Sequence, residues 1–152
     1  MAYEPSPKHG DCVLCGPLLT PIIHESRWWR MAVNRNQNLL GKLIVVLKRH
    51  EEDVTLLQTD EWIELRAEVV WAVKRLRNAF APDHFNYAFL QNQDRHVHLH
   101  VIPRYANARR FADIDFTDPD YPEMFRVPGR TNIADGRLLA AIAAAFIAAD
   151  ET

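Results

Sequence analysis

Apolar and polar residues alternate along Arg95-His96-Val97-His98-Leu99-His100-Val101-Ile102-Pro103-Arg104-Tyr105. A period of two is the mark of a β-strand. Residues two apart in an extended chain share a face and lie roughly 6.7 Å apart. His96, His98 and His100 are therefore expected on one side of a strand whose other side, Val97, Leu99 and Val101, is core. Pro103 ends the ladder because it has no N–H to donate.

The same period recurs upstream. From Arg27 to Asn34, Trp28, Arg30, Ala32 and Asn34 alternate with Trp29, Met31 and Val33, and the run is rich in strand formers. Asn34 to Leu40 make a polar turn, and after Gly41 the run Lys42 to Leu47 predicts a second strand, buried on both faces. The period then changes. Trp62, Leu65, Val69, Val73, Leu76 and Phe80 follow at three- and four-residue steps, an amphipathic helix capped by Thr59 or Asp60 and stopped by Pro82. Arg66, Lys74, Arg75 and Arg77 fall on its other faces and read as solvated. Phe85 to Leu90 is a third strand, and the tight polar turn Gln91 to Asp94 pairs it with the histidine strand as an antiparallel hairpin.

Beyond Tyr105 regular signals fade. Residues 106–133 read as a long loop, a length that is uncommon unless functional. An alanine-rich helix follows over 134–149, with Leu138, Ile142 and Phe146 on its packing face. Strand, strand, helix, strand, strand with hairpin connections means an α+β fold around an antiparallel sheet. Residues 12–152 read as a single domain, preceded by an arm, 1–11, that contains Pro5 and Pro7 and no periodicity.

Composition narrows the picture. A chain of 152 residues with 48% hydrophobic and 25% charged residues is ordinary for a soluble globular domain. A net charge of -2 offers no electrostatic argument for a nucleic-acid backbone or a membrane surface. No apolar run reaches transmembrane length and the start lacks a signal-peptide core, which places the protein in the cytoplasm. Cys12 and Cys15, the two cysteines of the chain, stand too close to staple a fold.

In a reducing compartment Cys12-x-x-Cys15 points to metal or redox work. Gly16-Pro17 follows at once, which fits a metal knuckle better than a redox motif opening a helix. Two cysteines cannot close a tetrahedral zinc site, so two histidines must join them. The histidine strand has two chemical readings. Imidazole is a metal ligand, and it is also a nucleophile that can be nucleotidylated and then released by water. The irregular acidic run Asp113, Asp115, Asp118 and Asp120 reads as a solvated loop. Arg109 and Arg110 lie near the end of the strand, within reach of a phosphate.

His96-Val-His98-Leu-His100-Val-Ile-Pro-Arg resembles the signature of the histidine-triad superfamily of nucleotide hydrolases and transferases. Its Pro-Arg ending is similar to that of the fragile-histidine-triad and zinc-containing bacterial branches. The resemblance covers roughly Cys12 to Tyr105. It implies in-line attack by His98 on the α-phosphorus of a dinucleoside polyphosphate or nucleoside phosphoramidate, with His100 on a phosphate oxygen. It implies that Asn34 binds the ribose hydroxyls and that Asn92 and Gln93 meet the phosphates. It also implies a structural zinc on Cys12, Cys15, His50 and His96, magnesium carried only by the nucleotide, and a homodimer. Two departures stand out: Lys42 replaces a histidine that many relatives carry, and the Gly-Gln loop before the triad is missing. They favour the alternative of a nucleotide-binding regulatory or adaptor protein with little turnover. A third reading, one metal held by all three histidines, suffers because rings along a strand diverge.

Overall fold

The computed structural model describes residues 10–127 and 134–149. Most of the arm read over 1–11, and the end of the loop read over 106–133, lie outside these residues. The strands are β1 (Ile22–Glu25), β2 (Trp29–Val33), β3 (Leu43–Leu47), β4 (His84–Ala88) and β5 (His98–Arg104), with a ribbon of β6 (Arg109–Phe111) and β7 (Ile114–Phe116). The helices are α1 (Thr59–Phe80) and α2 (Gly136–Ala148). β1 to β5 form one antiparallel sheet in the order β1-β2-β3-β5-β4. The architecture is α+β, as the order of periods requires.

Alternation sorts the sheet into two faces. Trp29, Met31 and Val33 on β2, Leu43, Val45 and Leu47 on β3, and Leu99 and Val101 on β5 join Leu76 and Phe80 of α1 and Ile142 and Phe146 of α2 in one core. The other face carries Arg30, Ala32, Ile44, Val46, His98 and His100, set by the pairs Arg30↔Val46, Ala32↔Ile44, Ile44↔His100 and Val46↔His98. The helices therefore cover one face and leave the histidines on the other.

Gly41, two residues before β3, has φ +84°, and a Cβ there would sit 3.0 Å from Phe80 Cδ2. Only glycine meets both the backbone and the space at this point. The chain can then drop directly from the turn onto the end of α1.

Several local readings are corrected. The cap of α1 is Gln58, whose N–H donates to Glu61 Oε2 at 2.8 Å, rather than Thr59 or Asp60. Leu65, Val73, Leu76 and Phe80 of the apolar stripe of α1 are buried as read, while Trp62 at its start is 40% exposed and Glu61, Glu68 and Ala72 are buried beside the stripe. Each acid is accommodated by a partner on another segment. Arg49 reaches Glu61 at 2.7 Å and His24 lies 3.3 Å from Glu68. The turn between β4 and β5 is not tight. β4 ends at Ala88 and β5 starts at His98, because Phe89 leaves the sheet to pack edge-on against Trp62 and the Gln91 side chain donates to the Glu52 carbonyl.

The 106–133 segment carries the β6–β7 ribbon, and Asp118 within it is not solvated. Its carboxylate holds buried Arg104 at 2.7 Å, and Arg104 also donates to Asn86 and to the Glu123 carbonyl. Arg109 and Arg110 are drawn to local partners, the carbonyls of Phe80 and Ala81 and the carboxylate of Asp115. Neither reaches the histidines' pocket. Arg75, read as solvated, donates to the carbonyls of Phe146 and Ile147 at the end of α2.

Candidate functional site

The strand that carries the histidines begins two residues later than its periodicity predicts, so His96 stands in the approach to β5 while His98 and His100 stand on it. His96 Nε2–H donates to the Leu47 carbonyl at 2.6 Å. That bond leaves Nδ1 as a lone-pair atom. It lies 3.4 Å from Cys12 Sγ and 3.5 Å from Cys15 Sγ. His50, just beyond β3, brings its Nδ1 to 3.2 Å from Cys15 Sγ.

The ligand atoms of Cys12, Cys15, His50 and His96 all fall within 4.8 Å of one another. A tetrahedral zinc with bonds near 2.3 Å to sulfur and 2.0 Å to nitrogen needs S···N edges of about 3.5 Å. The observed separations of 3.2, 3.4 and 3.5 Å fit that figure. Outer partners are in place as well, the Leu47 carbonyl on His96 and Glu52 3.4 Å from His50 Nε2. Burial, only partly offset by the Leu47 bond, pushes His96 down to about 4, so the ring is neutral and available to a metal.

The knuckle is clamped to the sheet. Cys15 N–H closes a turn onto the Cys12 carbonyl at 3.1 Å, and the Arg30 guanidinium donates to the carbonyls of Leu14 and Gly16. Residues 13–20 are thereby laid beside the histidine face. They wall a pocket of about 450 Å³ together with Asn34, Lys42, Ile44, His98, His100 and the β4–β5 loop. Asn34, Asn92 and Gln93 all line this pocket, as do His98 and His100.

His98 Nδ1 lies 2.7 Å from the His96 carbonyl oxygen. A carbonyl can only accept, so Nδ1 carries the proton and Nε2 keeps its lone pair. His100 is 4.8 Å from His98 between ring centres and receives Asn34 Nδ2 on its Nδ1 at 3.4 Å. Burial, then His98, then Lys42 push His100 down to about 4, so it is a neutral ring. Asn34 is itself buried, its Oδ1 accepting from the Asn36 N–H at 2.9 Å. Lys42 Nζ donates to Asn38 Oδ1 at 2.8 Å, and burial pushes the amine down to about 8.

Arg30 and the Leu47 carbonyl carry no signal in the sequence beyond their places in predicted strands, and Lys42 stands out there only as a departure from the resemblance. Strand register could have placed Lys42, since an antiparallel partner of Asn34 lies on the same face as His100.

The five-stranded antiparallel sheet with two helices on one face is a fold shared with solved histidine triad proteins. No protein-family model and no curated protein matches the sequence. Solved structures match the fold. A histidine triad protein from Sinorhizobium meliloti is similar at a TM-score of 0.69 and 20% identity, over 86% of this chain and 90% of that one. A zinc-bound histidine triad family protein from Mycobacterium smegmatis is similar at 0.60 and 20% identity, over 90% and 93%. A hypothetical histidine triad nucleotide-binding protein from Sulfolobus tokodaii is similar at 0.64 and 16% identity, over 86% and 83%.

Proposed function

We propose that the protein is a nucleotide hydrolase or nucleotidyl transferase working through a nucleotidyl-histidine. The observation that carries the reading is the 2.7 Å approach of His98 Nδ1 to the His96 carbonyl. It holds one tautomer and leaves the Nε2 lone pair as a nucleophile that needs no general base to activate it. Nε2 attacks the α-phosphorus in line, the bond to the leaving group breaks, and its electron pair departs with that group. The Nδ1 proton stays on the ring, held by the carbonyl. Water then cleaves the P–N bond and releases a nucleoside monophosphate. His100, with its Nδ1 taken by Asn34, carries a proton on Nε2 and donates it as a hydrogen bond to a phosphoryl oxygen. Asn92 and Gln93, which line the pocket from the loop, would add donors to the phosphates, and Asn34 would meet the sugar.

The cysteine–histidine cluster is proposed as a structural zinc site on Cys12, Cys15, His50 and His96. Closed tetrahedral sites of this composition hold chain segments together, here the knuckle that walls the pocket. Exposed Trp62, Ile63 and Leu56 near the start of α1 are apolar area available to the proposed homodimer. Among the described residues no helix is long and apolar enough to cross a membrane.

The test is product analysis after incubation with dinucleoside polyphosphates and nucleoside phosphoramidates. Release of a nucleoside monophosphate, lost in His98→Ala, supports the reading. Tight nucleotide binding with no product favours a regulatory or adaptor protein instead.

A further inference from the structure

The face that carries His98 and His100 also carries a buried cation. Asn34 N–H donates to the Lys42 carbonyl at 2.9 Å, which sets Lys42 across from Asn34, and Ile44 pairs with His100. Lys42 therefore stands on the histidine face, one strand position pair from His100. Its ammonium is buried, lines the pocket, and spends one donor on Asn38. Among the described residues it makes no ion pair. The pocket's other charged groups are exposed Arg35 and half-buried Asp94. A buried charge without a counter-charge is costly unless something supplies one.

We infer that Lys42 binds the anionic phosphoryl group of the substrate and makes the site selective for phosphoanhydrides over phosphoramidates. This rests on the nucleotidyl-transfer reading. The two substrate classes ask different things of the site. When His98 Nε2 forms its bond to phosphorus in an anhydride, the P–O bond breaks and the pair leaves on a phosphate oxygen, which is stable as an anion. It needs a nearby positive charge. When the leaving atom is an amine nitrogen, the P–N bond breaks usefully only if a proton reaches that nitrogen. His98 spends its Nδ1–H on the His96 carbonyl and faces the phosphorus with a lone pair, and His100, whose Nδ1 accepts from Asn34, is committed to a phosphoryl oxygen. The Lys42 ammonium, once against a phosphate, holds its protons more tightly. Charge is on offer here and a proton is not.

Wild type, Lys42→Met and Lys42→Gln are compared in two assays. Calorimetry reads binding of adenosine monophosphate and of adenosine. Product release reads turnover of diadenosine tetraphosphate and of an adenosine phosphoramidate. Lys42→Met keeps the apolar stem and removes the buried charge, so a folded variant is expected, checked by thermal melting. Both variants should lose about 10- to 100-fold affinity for the monophosphate, the worth of one charged hydrogen bond, and bind adenosine as before. On the tetraphosphate kcat/KM should fall by about 10²–10³, and on the phosphoramidate only by the roughly 10- to 100-fold that the monophosphate loses in binding. Unchanged monophosphate affinity, or equal losses on both substrates, overturns the inference. A wild type that cleaves neither substrate tells against the enzymatic reading instead, and the monophosphate–adenosine comparison still decides whether Lys42 is an anion site.

Discussion

His96 reaches the cysteines through its ring and His98 through its backbone: its Nδ1 lies 3.4 Å from Cys12 Sγ, while its carbonyl oxygen lies 2.7 Å from His98 Nδ1. One residue thus joins the cluster that holds the chain to the ring that meets the substrate. Disturbing the cluster should be felt at the nucleophile.

Purified protein should carry one zinc per chain by elemental analysis. Cys12→Ser should lose the metal, lower the melting temperature and cut turnover by roughly 10–100-fold, the usual loss when a support of a site is removed. A metal-free protein that is indifferent to chelators would dismiss the zinc.

Stability should fall on acidification between pH 6.5 and about 4. His100 is pushed from 6.5 down to about 4, mainly by burial. In that window the unfolded chain binds protons that the folded chain refuses, so unfolding gains as pH drops. The contribution is fully present above pH 6.5 and lost as pH falls through the folded value. Melting curves of His100→Asn should show a shallower acid slope than wild type. An identical slope would remove His100 from the account.

The Arg104–Asp118 pair ties the segment after β7 to the end of β5. Asp118→Ala leaves a fully buried guanidinium without its counter-charge and should cost about 3–5 kcal/mol. Urea denaturation measures it, and a loss below 1 kcal/mol, as for a surface pair, would contradict the burial of this contact.

Much of this was legible because it rests on short-range pattern. Period two gave the histidine strand, and a change of period gave α1. Cysteine spacing together with the resemblance named the ligands that the fold brings within 4.8 Å. What escaped the pattern depends on partners far along the chain. Asp118 looks like any loop acid until Arg104 is placed beside it, and Glu61 and Glu68 look solvated until Arg49 and His24 arrive. The four-residue edge strand β1 is too short to show a period. The turn after β4 looked tight because nothing local says that Phe89 packs on Trp62.

Gly41→Ala should destabilise the protein by about 1–3 kcal/mol, since alanine would hold φ +84° under strain. The new methyl would also press on Phe80. Chemical denaturation reads the loss, and no loss would mean the turn into β3 can be rebuilt without glycine.

The central claim is that His98 becomes covalently nucleotidylated. Wild-type protein mixed with a dinucleoside polyphosphate, quenched within a turnover and digested, is analysed by mass spectrometry. The account predicts a nucleoside monophosphate adduct on the peptide containing His98, absent from His98→Ala, whose turnover falls by several orders of magnitude while nucleotide still binds. Near-normal turnover by His98→Ala would contradict it.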